Sequence, residues 1–360
     1  MNLNKNVSLI LEDGSQFNGY SFGYNKNVAG ELVFSTAMTG YPESLTDPSY
    51  SGQILMLTYP LVGNYGVPKR EIQNNLSIFL ESEKIHPMAL IVSNYADQYS
   101  HYNAANSLSE WLVAENIVGI YGIDTRAATK VLREKGTMKA KIIFDNSEDI
   151  DFIDPNLINQ VDIASCKNVI TYNESKNRKK IVLVDCGVKH GIIKSIISRD
   201  LSVIRVPWDY DFNTLDFDGL FISNGPGDPD FCDKTVHHIK QVLNTNKPIC
   251  GICMGNQLLA KAGGAKIYKL KYGHRSDNQP VRMVGTNNCY ITSQNHNYAV
   301  DDSTLGNDWE QLFVNINDGT NEGIRHKTKP FFSAQFHPEP SSGITDTEFI
   351  FDKFVKDIGK

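Results

Sequence analysis

Apolar residues in the second half of the chain fall in short unbroken runs: Ile181 to Val184, Val203 to Val206, Leu220 to Ser223 and Pro248 to Ile252. Helical stretches near Lys189 to Ser198 and Lys234 to Leu243 lie between them. This alternation predicts a doubly wound, mostly parallel α/β sheet, whose ligands sit in the loops leaving the carboxyl ends of the strands. Phe351, Phe354, Val355 and Ile358 are spaced as the core-facing stripe of a closing helix. The first half reads instead as α+β. Short β-like runs at Val7 to Leu11, Leu32 to Ser35, Ile54 to Tyr59 and Ala89 to Ser93 are separated by Gly, Asn and Asp turn signals. A capping box, Ser107-x-x-Glu110, starts one helix ahead of Trp111, Leu112 and Val113, and another runs from Asp124 to a stop at Gly136. An N-terminal domain over 1–145 and a second domain over 181–360 are therefore expected. Between them, 146–180 is expected as a linker, acidic at first (Glu148, Asp149, Asp151) and ending in a basic run from Lys176 to Lys180 that reads as solvated surface.

Composition narrows the partners. With 360 residues, 41% of them hydrophobic and 21% charged, the chain can bury the cores of two ordinary domains. A net charge of −6 gives no basic field for nucleic acid or an anionic membrane, which favours a small molecule or a protein as partner. Met1 to Lys5 lack an apolar leader, and no run approaches the ~20 apolar residues of a membrane span, so a cytoplasmic protein is expected. The six cysteines, Cys166, Cys186, Cys232, Cys250, Cys253 and Cys289, lack the paired spacing of a disulfide framework and are expected as free thiols. Cys250-x-x-Cys253 has no second pair to complete a zinc site, and no metal ligands are assigned in this chain.

Pro248-Ile249-Cys250-Gly251-Ile252-Cys253-Met254-Gly255 reads as a buried strand that ends in Gly-x-Cys-x-Gly and turns at once into a helix. That is the form of a nucleophile elbow. Glycines permit the tight turn, and the helix N-terminus sets its unpaired N–H groups and positive end beside the sulfur, favouring thiolate. Cys253 is thus the candidate nucleophile, and Cys250 a buried strand residue. A thiolate in acyl transfer needs a proton carrier for the leaving amine and a carboxylate to orient that carrier. His337-Pro338-Glu339 supplies both, because residues two apart on an extended chain share a side. The loop Ser223-Asn224-Gly225-Pro226-Gly227-Asp228-Pro229 leaves the carboxyl end of another strand. Its prolines lack N–H donors and no Gly-Lys-Ser/Thr follows, so it suits a phosphate poorly. It suits an oxyanion hole made by the N–H groups of Gly225 and Met254.

These three motifs, in this order, resemble the class I glutamine amidotransferases. In the first half, Thr39-Gly40-Tyr41-Pro42-Glu43-Ser44-Leu45-Thr46-Asp47-Pro48-Ser49-Tyr50, Thr58 to Gly66, and Gly122-Ile123-Asp124-Thr125-Arg126-Ala127 look like the small subunit of carbamoyl-phosphate synthetase. The resemblance implies glutamine hydrolysis through a thioester on Cys253, with His337 as general base and acid and Glu339 as the orienting carboxylate. It implies that glutamine is held by Ser49, Gly225, Gly227, Met254, Gln257, Asn295, Asn297 and Tyr298; without it, Ser49 is a turn residue and Gln294 to Tyr298 a polar loop. It also implies a hetero-oligomer with a large subunit that binds ATP and Mg2+, receives ammonia through a tunnel and makes carbamoyl phosphate for arginine or pyrimidine biosynthesis, with no cofactor in this chain. Two positions depart from the family pattern. Asn256 stands where a His commonly follows Cys-x-Gly, and Asn297 where Gly is usual in Asn-His-Gly; a left-handed backbone at Asn297 is expected to keep the loop shape. Three other readings stay open: an amidotransferase for another synthase, such as those making anthranilate or guanylate; a Cys–His–Glu peptidase or γ-glutamyl hydrolase; and a catalytically silent docking or regulatory subunit.

Overall fold

Strand β1 (Asn6–Leu11) buries Val7, Leu9 and Leu11 in alternation, the period of a strand with one face on a core. In the computed structural model, which describes residues 6–359, it pairs with β2 (Gln16–Ser21) and β7 (Met138–Phe144). With β3 (Val28–Ser35), β4 (Gln53–Leu57), β5 (Ala89–Ile91) and β6 (Val118–Tyr121) these strands close a barrel in the order β1-β7-β3-β4-β5-β6-β2. Closure leaves no unpaired edge. It depends on joining the two ends of the unit, Val7 opposite Phe144, which no local pattern announces. β3 and β4 are buried at every position and pair in parallel, so they carry apolar runs with little alternation.

Three helices accompany the barrel: α1 (Tyr41–Thr46), α2 (Leu108–Ala114) and α3 (Thr125–Lys135). α2 begins at the expected capping box, with the Glu110 N–H donating to Ser107 Oγ at 3.2 Å and the Ser107 N–H donating to Glu110 Oε2 at 2.9 Å. α3 starts at Asp124, whose side chain accepts the Ala127 N–H at 2.8 Å, and stops at Gly136, which takes a φ of 101°.

The chain divides into two compact units, Met1–Ile158 and Asn159–Lys360. The stretch 146–180 does not run as a bare connection. Its later part carries α4 (Gln160–Ala164) and β8 (Ile170–Tyr172), and β8 pairs antiparallel along an edge of the second unit's sheet. Only Gln160 and Val161 of α4 are buried, too few to leave a periodic trace in the sequence. Arg178 and Lys179 pair at the surface with Asp200 and Asp218. Met1 to Lys5, read above for an apolar leader, lie outside the described residues.

The second unit is a doubly wound sheet. Its parallel part, β10 (Ser202–Pro207), β9 (Lys180–Asp185), β11 (Gly219–Ile222), β12 (Ile249–Ile252) and β17 (Phe331–Ala334), lies in that spatial order. From β17 the sheet continues antiparallel through β16 (Asn321–His326) and β15 (Trp309–Asn315) to the long hairpin β13 (Ile267–Met283) and β14 (Cys289–Val300). Helices α5 (His190–Ile197), α6 (Asp233–Val242), α7 (Met254–Ala262) and α8 (Phe349–Ile358) cover it. Phe351 and Phe354 of α8 clasp Phe221, one stacked at 5.9 Å and the other edge-on at 5.4 Å. Among the described residues no helix is long and apolar enough to cross a membrane.

Candidate active site

Cys253 caps α7 directly after β12, with φ 54° and ψ −104°. Among the described residues, the other non-glycine positions with positive φ are Asn or Asp, which tolerate that region; Cys253 is the exception. A strained position of this kind costs about 1–3 kcal/mol and persists only where its surroundings fix it. Here the Cys253 N–H donates to Ala334 O at 2.9 Å, and the Gln257 N–H donates to Cys253 O at 3.2 Å. The flanking glycines are needed for close approach. A Cβ on Gly251 would lie 2.4 Å from Gly255 O, and one on Gly255 would lie 2.1 Å from Ile222 O. The thiol is buried and donates to Asn295 O at 3.6 Å. Cys250 sits inside β12, fully buried, where burial pushes its thiol far up.

His337 follows β17 and is tied to β14 by its N–H, which donates to Ser293 O at 2.9 Å. Its Nδ1 faces Glu339 Oε1 at 2.7 Å, as the shared side of an extended segment requires. Nε2 makes no hydrogen bond, which leaves it for the sulfur and the substrate. Lys189, at the start of α5, places Nζ 2.7 Å from the same Glu339 oxygen, and both side chains are buried. Nothing in the sequence pointed to this lysine. The one available signal was its place at the carboxyl end of β9, where ligands of such sheets gather. Asn224 Oδ1 accepts the Lys189 N–H at 3.1 Å, linking it to the glycine-rich loop.

The charges are coupled. Burial pushes the Glu339 carboxyl up, but Lys189 and then His337 outweigh it and hold it well below the usual carboxylate range. Burial works against a charge on His337 too; Glu339 overcomes it, and the neighbouring Cys253 side chain adds to the effect, so the imidazole is held protonated well above its ordinary value.

The loop after β11 begins with Ser223, whose Oγ accepts the Cys186 N–H at 2.9 Å. A Cβ on Gly225 would lie 2.1 Å from Cys186 O, and Gly227 takes a φ of 80° against Gln160. Met254 opens α7, where an N–H has no acceptor within the helix. Gln257 is buried, its amide donating to Tyr298 O at 3.1 Å and to Gln335 Oε1 at 3.2 Å. Asn297 Oδ1 accepts from Arg275 at 2.5 Å, and the Tyr298 hydroxyl donates to Asp228 at 3.0 Å. Gln294 to Tyr298 form part of strand β14, not a loop; Asn295, His296 and Tyr298 pair with β13, and Asn297, at a register shift between them, is absent from the positive-φ positions, so no left-handed tolerance is needed there. Asn256 is buried between Ser333 Oγ, which donates to its Oδ1 at 2.7 Å, and Gln335 Oε1, which accepts from its Nδ2 at 2.9 Å. In the first unit, Ser49 is buried in the single turn Pro48–Tyr50, its N–H held by Asp47 Oδ1 at 2.9 Å.

Residues 182–357 match the family described as glutamine amidotransferase class-I, and residues 9–142 match the family described as carbamoyl-phosphate synthase small chain, CPSase domain. The chain is 49% identical to the carbamoyl phosphate synthase arginine-specific small chain of Neurospora crassa, over 98% of this chain and 80% of that one. It is 46% identical to the protein of the same name from Aspergillus niger, again over 98% of this chain and 80% of that one. It is also 47% identical to a multifunctional protein of Dictyostelium discoideum, of which it spans 17% of the length. The chain belongs to the carbamoyl-phosphate synthase small chain family.

Proposed function

We propose that the chain hydrolyses L-glutamine to glutamate and ammonia, and that it works as the glutaminase of a carbamoyl-phosphate synthase. The observation that carries the chemistry is Cys253 in its strained turn, beside an imidazole that Glu339 keeps protonated. Cys253 Sγ, having given its proton to His337, adds to the side-chain amide carbon of glutamine. The N–H groups of Gly225 and Met254 take up the charge on the carbonyl oxygen. Collapse of the adduct breaks the C–N bond as His337 delivers its proton to the leaving nitrogen, and ammonia departs. His337 then accepts a proton from water as water attacks the thioester, and glutamate is released with the thiol restored. Gly227, Gln257, Asn295, Asn297 and Tyr298 are assigned to holding glutamine. Ser49 is assigned to the same task on the family resemblance.

The acceptor of ammonia in this proposal is a large subunit that binds ATP and Mg2+ and makes carbamoyl phosphate from bicarbonate. A closed passage between the sites fits the chemistry, because ammonia released into water near neutral pH is protonated and no longer nucleophilic. The small chains of the two fungal relatives carry an arginine-specific name, which makes arginine synthesis one destination for the product. The test is glutamate release by the purified chain, alone and with a large subunit, ATP and bicarbonate, for wild type and Cys253→Ala. The expected result is a slow Cys253-dependent rate that rises with the partner, while Cys253→Ala keeps carbamoyl-phosphate synthesis from added ammonia. No glutamate from folded protein in a verified complex refutes the glutaminase assignment.

A further inference from the structure

Apart from the triad, three buried side chains with metal-binding chemistry converge from three strands. His274 of β13, His296 of β14 and Glu322 of β16 bring ligand atoms within 4.8 Å of one another. Their hydrogen bonds do not balance. Thr292 Oγ1 donates to Gln279 O at 2.8 Å, so it accepts from the Gln294 amide nitrogen at 3.1 Å. That orientation turns Gln294 Oε1 toward His296 Nε2, 3.2 Å away. The Tyr298 carbonyl, 2.9 Å from His296 Nδ1, can only accept, so Nδ1 carries the ring proton and Nε2 a lone pair. Glu322 Oε1 lies 3.9 Å from that nitrogen and 3.3 Å from His274 Nδ1, the latter without hydrogen-bond alignment. Asn315 donates to Glu322 Oε1 at 3.1 Å, and Oε2 has no hydrogen-bond partner. His296 Nε2 and Gln294 Oε1 thus face one another as acceptors in a buried place, beside His274 Nδ1 and Glu322 Oε2, which have no hydrogen-bond partner.

We propose that His274 Nδ1, His296 Nε2 and the Glu322 carboxylate bind a divalent transition-metal cation of zinc's class, with Gln294 Oε1 at the fourth position. Ligand atoms around a tetrahedral zinc lie about 3.3 Å apart, given bonds of about 2.0–2.1 Å. The separations of 3.3 and 3.2 Å match that value, and that of 3.9 Å, within a set whose ligand atoms all lie within 4.8 Å, closes to it with a small side-chain shift. Each histidine is also aimed by its other nitrogen, His274 Nε2 by Asp318 Oδ2 at 2.8 Å and His296 Nδ1 by the Tyr298 carbonyl. The cation supplies the positive charge that Glu322 needs where it is fully buried. Its role is structural. It joins the hairpin carrying Asn295 to β16, and Glu322 O accepts the Gln335 N–H at 2.8 Å, two residues before His337. The ligands come from separate strands, so no ligand spacing in the sequence announces them.

The full chain, purified without a polyhistidine tag and dialysed against metal-free buffer, is expected to retain about one zinc per chain by elemental analysis. After chelation it should take up Co2+ with the d–d bands of a tetrahedral nitrogen and oxygen site and no thiolate charge-transfer band. His274→Ala should abolish uptake. Glu322→Gln, isosteric and usable if His274→Ala fails to fold, should weaken it at least about tenfold, and Asp318→Asn by about 10–100-fold, with circular dichroism unchanged. A folded wild-type chain that takes up neither zinc nor cobalt at micromolar metal overturns the proposal and leaves a proton on His274 Nδ1 as the bridge to Glu322. Uptake unaltered by Glu322→Gln, or a thiolate band, overturns it too, since the ion then sits elsewhere.

Discussion

Replacing Glu339 by Gln removes a charge and almost no volume, which isolates the electrostatic role of this carboxylate. Its Oε1 lies 2.7 Å from both Lys189 Nζ and His337 Nδ1, and the residue is 1% exposed. The variant leaves the buried Lys189 ammonium without its partner. Breaking a buried pair from one side costs about 3–5 kcal/mol, with no allowance needed for solvent screening at these exposures. The pH dependence has a definite sign. Lys189 and His337, against burial, hold the folded-state carboxyl below its ordinary 4.5, so its contribution is complete above that pH and lost as pH falls through the folded value. The variant should therefore be less stable than wild type by the full amount at neutral pH, and the gap should close on acidification. His337 responds in the opposite sense. Glu339 is what raises it against burial, so in the variant the imidazole loses its proton at lower pH, and the alkaline limb of glutaminase activity should move down by about 1–3 pH units. Denaturant unfolding near pH 7 and down to about pH 2, the folded value of Glu339, with glutamate release measured across pH, reads both effects. An alkaline limb that stays in place in the folded variant would refute the electrostatic account, and equal stability at neutral pH would remove the buried-pair cost.

Gly255→Ala places a methyl 2.1 Å from the Ile222 carbonyl, a backbone atom that cannot swing away, so glutamate release should fall by more than the ~1–3 kcal/mol loss of stability would explain; activity and melting curves measured together check this. Asn256→Ala strips partners from Ser333 and Gln335 in a buried network and should cost about 1–3 kcal/mol by chemical denaturation. Burial and then Lys84 hold the His86 imidazole down at about 4, below its ordinary 6.5. Its contribution is complete above the ordinary value and lost as pH falls toward the folded one, so the stability of the barrel unit should fall by about 2 kcal/mol between pH ~7.5 and pH ~5, and His86→Gln should flatten that slope. Phe354→Ala empties the contact with Phe221 and should cost about 3–5 kcal/mol in the second unit, read from its urea midpoint.

What the sequence determined by itself is whatever is short in range. The elbow at Cys253 was legible because strand, glycines, nucleophile and helix are contiguous, and the turn can be made only one way. His337 and Glu339 were legible because two residues on an extended segment share a side. The capping box at Ser107 and the apolar stripe of the last helix were legible for the same local reason. Tertiary structure decided what depends on distant segments meeting. Lys189 reaches Glu339 across 150 positions, and its charge sets the carboxylate that the local motif could only name. The first unit's strands could be located singly, but their closure into a barrel rests on β1 meeting β7. Gln294 to Tyr298 are polar enough to read as a loop, yet pairing with β13 makes them a strand. His274, His296 and Glu322 are unremarkable polar residues along the chain, and burial in one place turns them into a cluster of metal-binding chemistry. A side chain's electrostatic surroundings are a property of the fold, whereas its turn, cap and period belong to the neighbouring few residues.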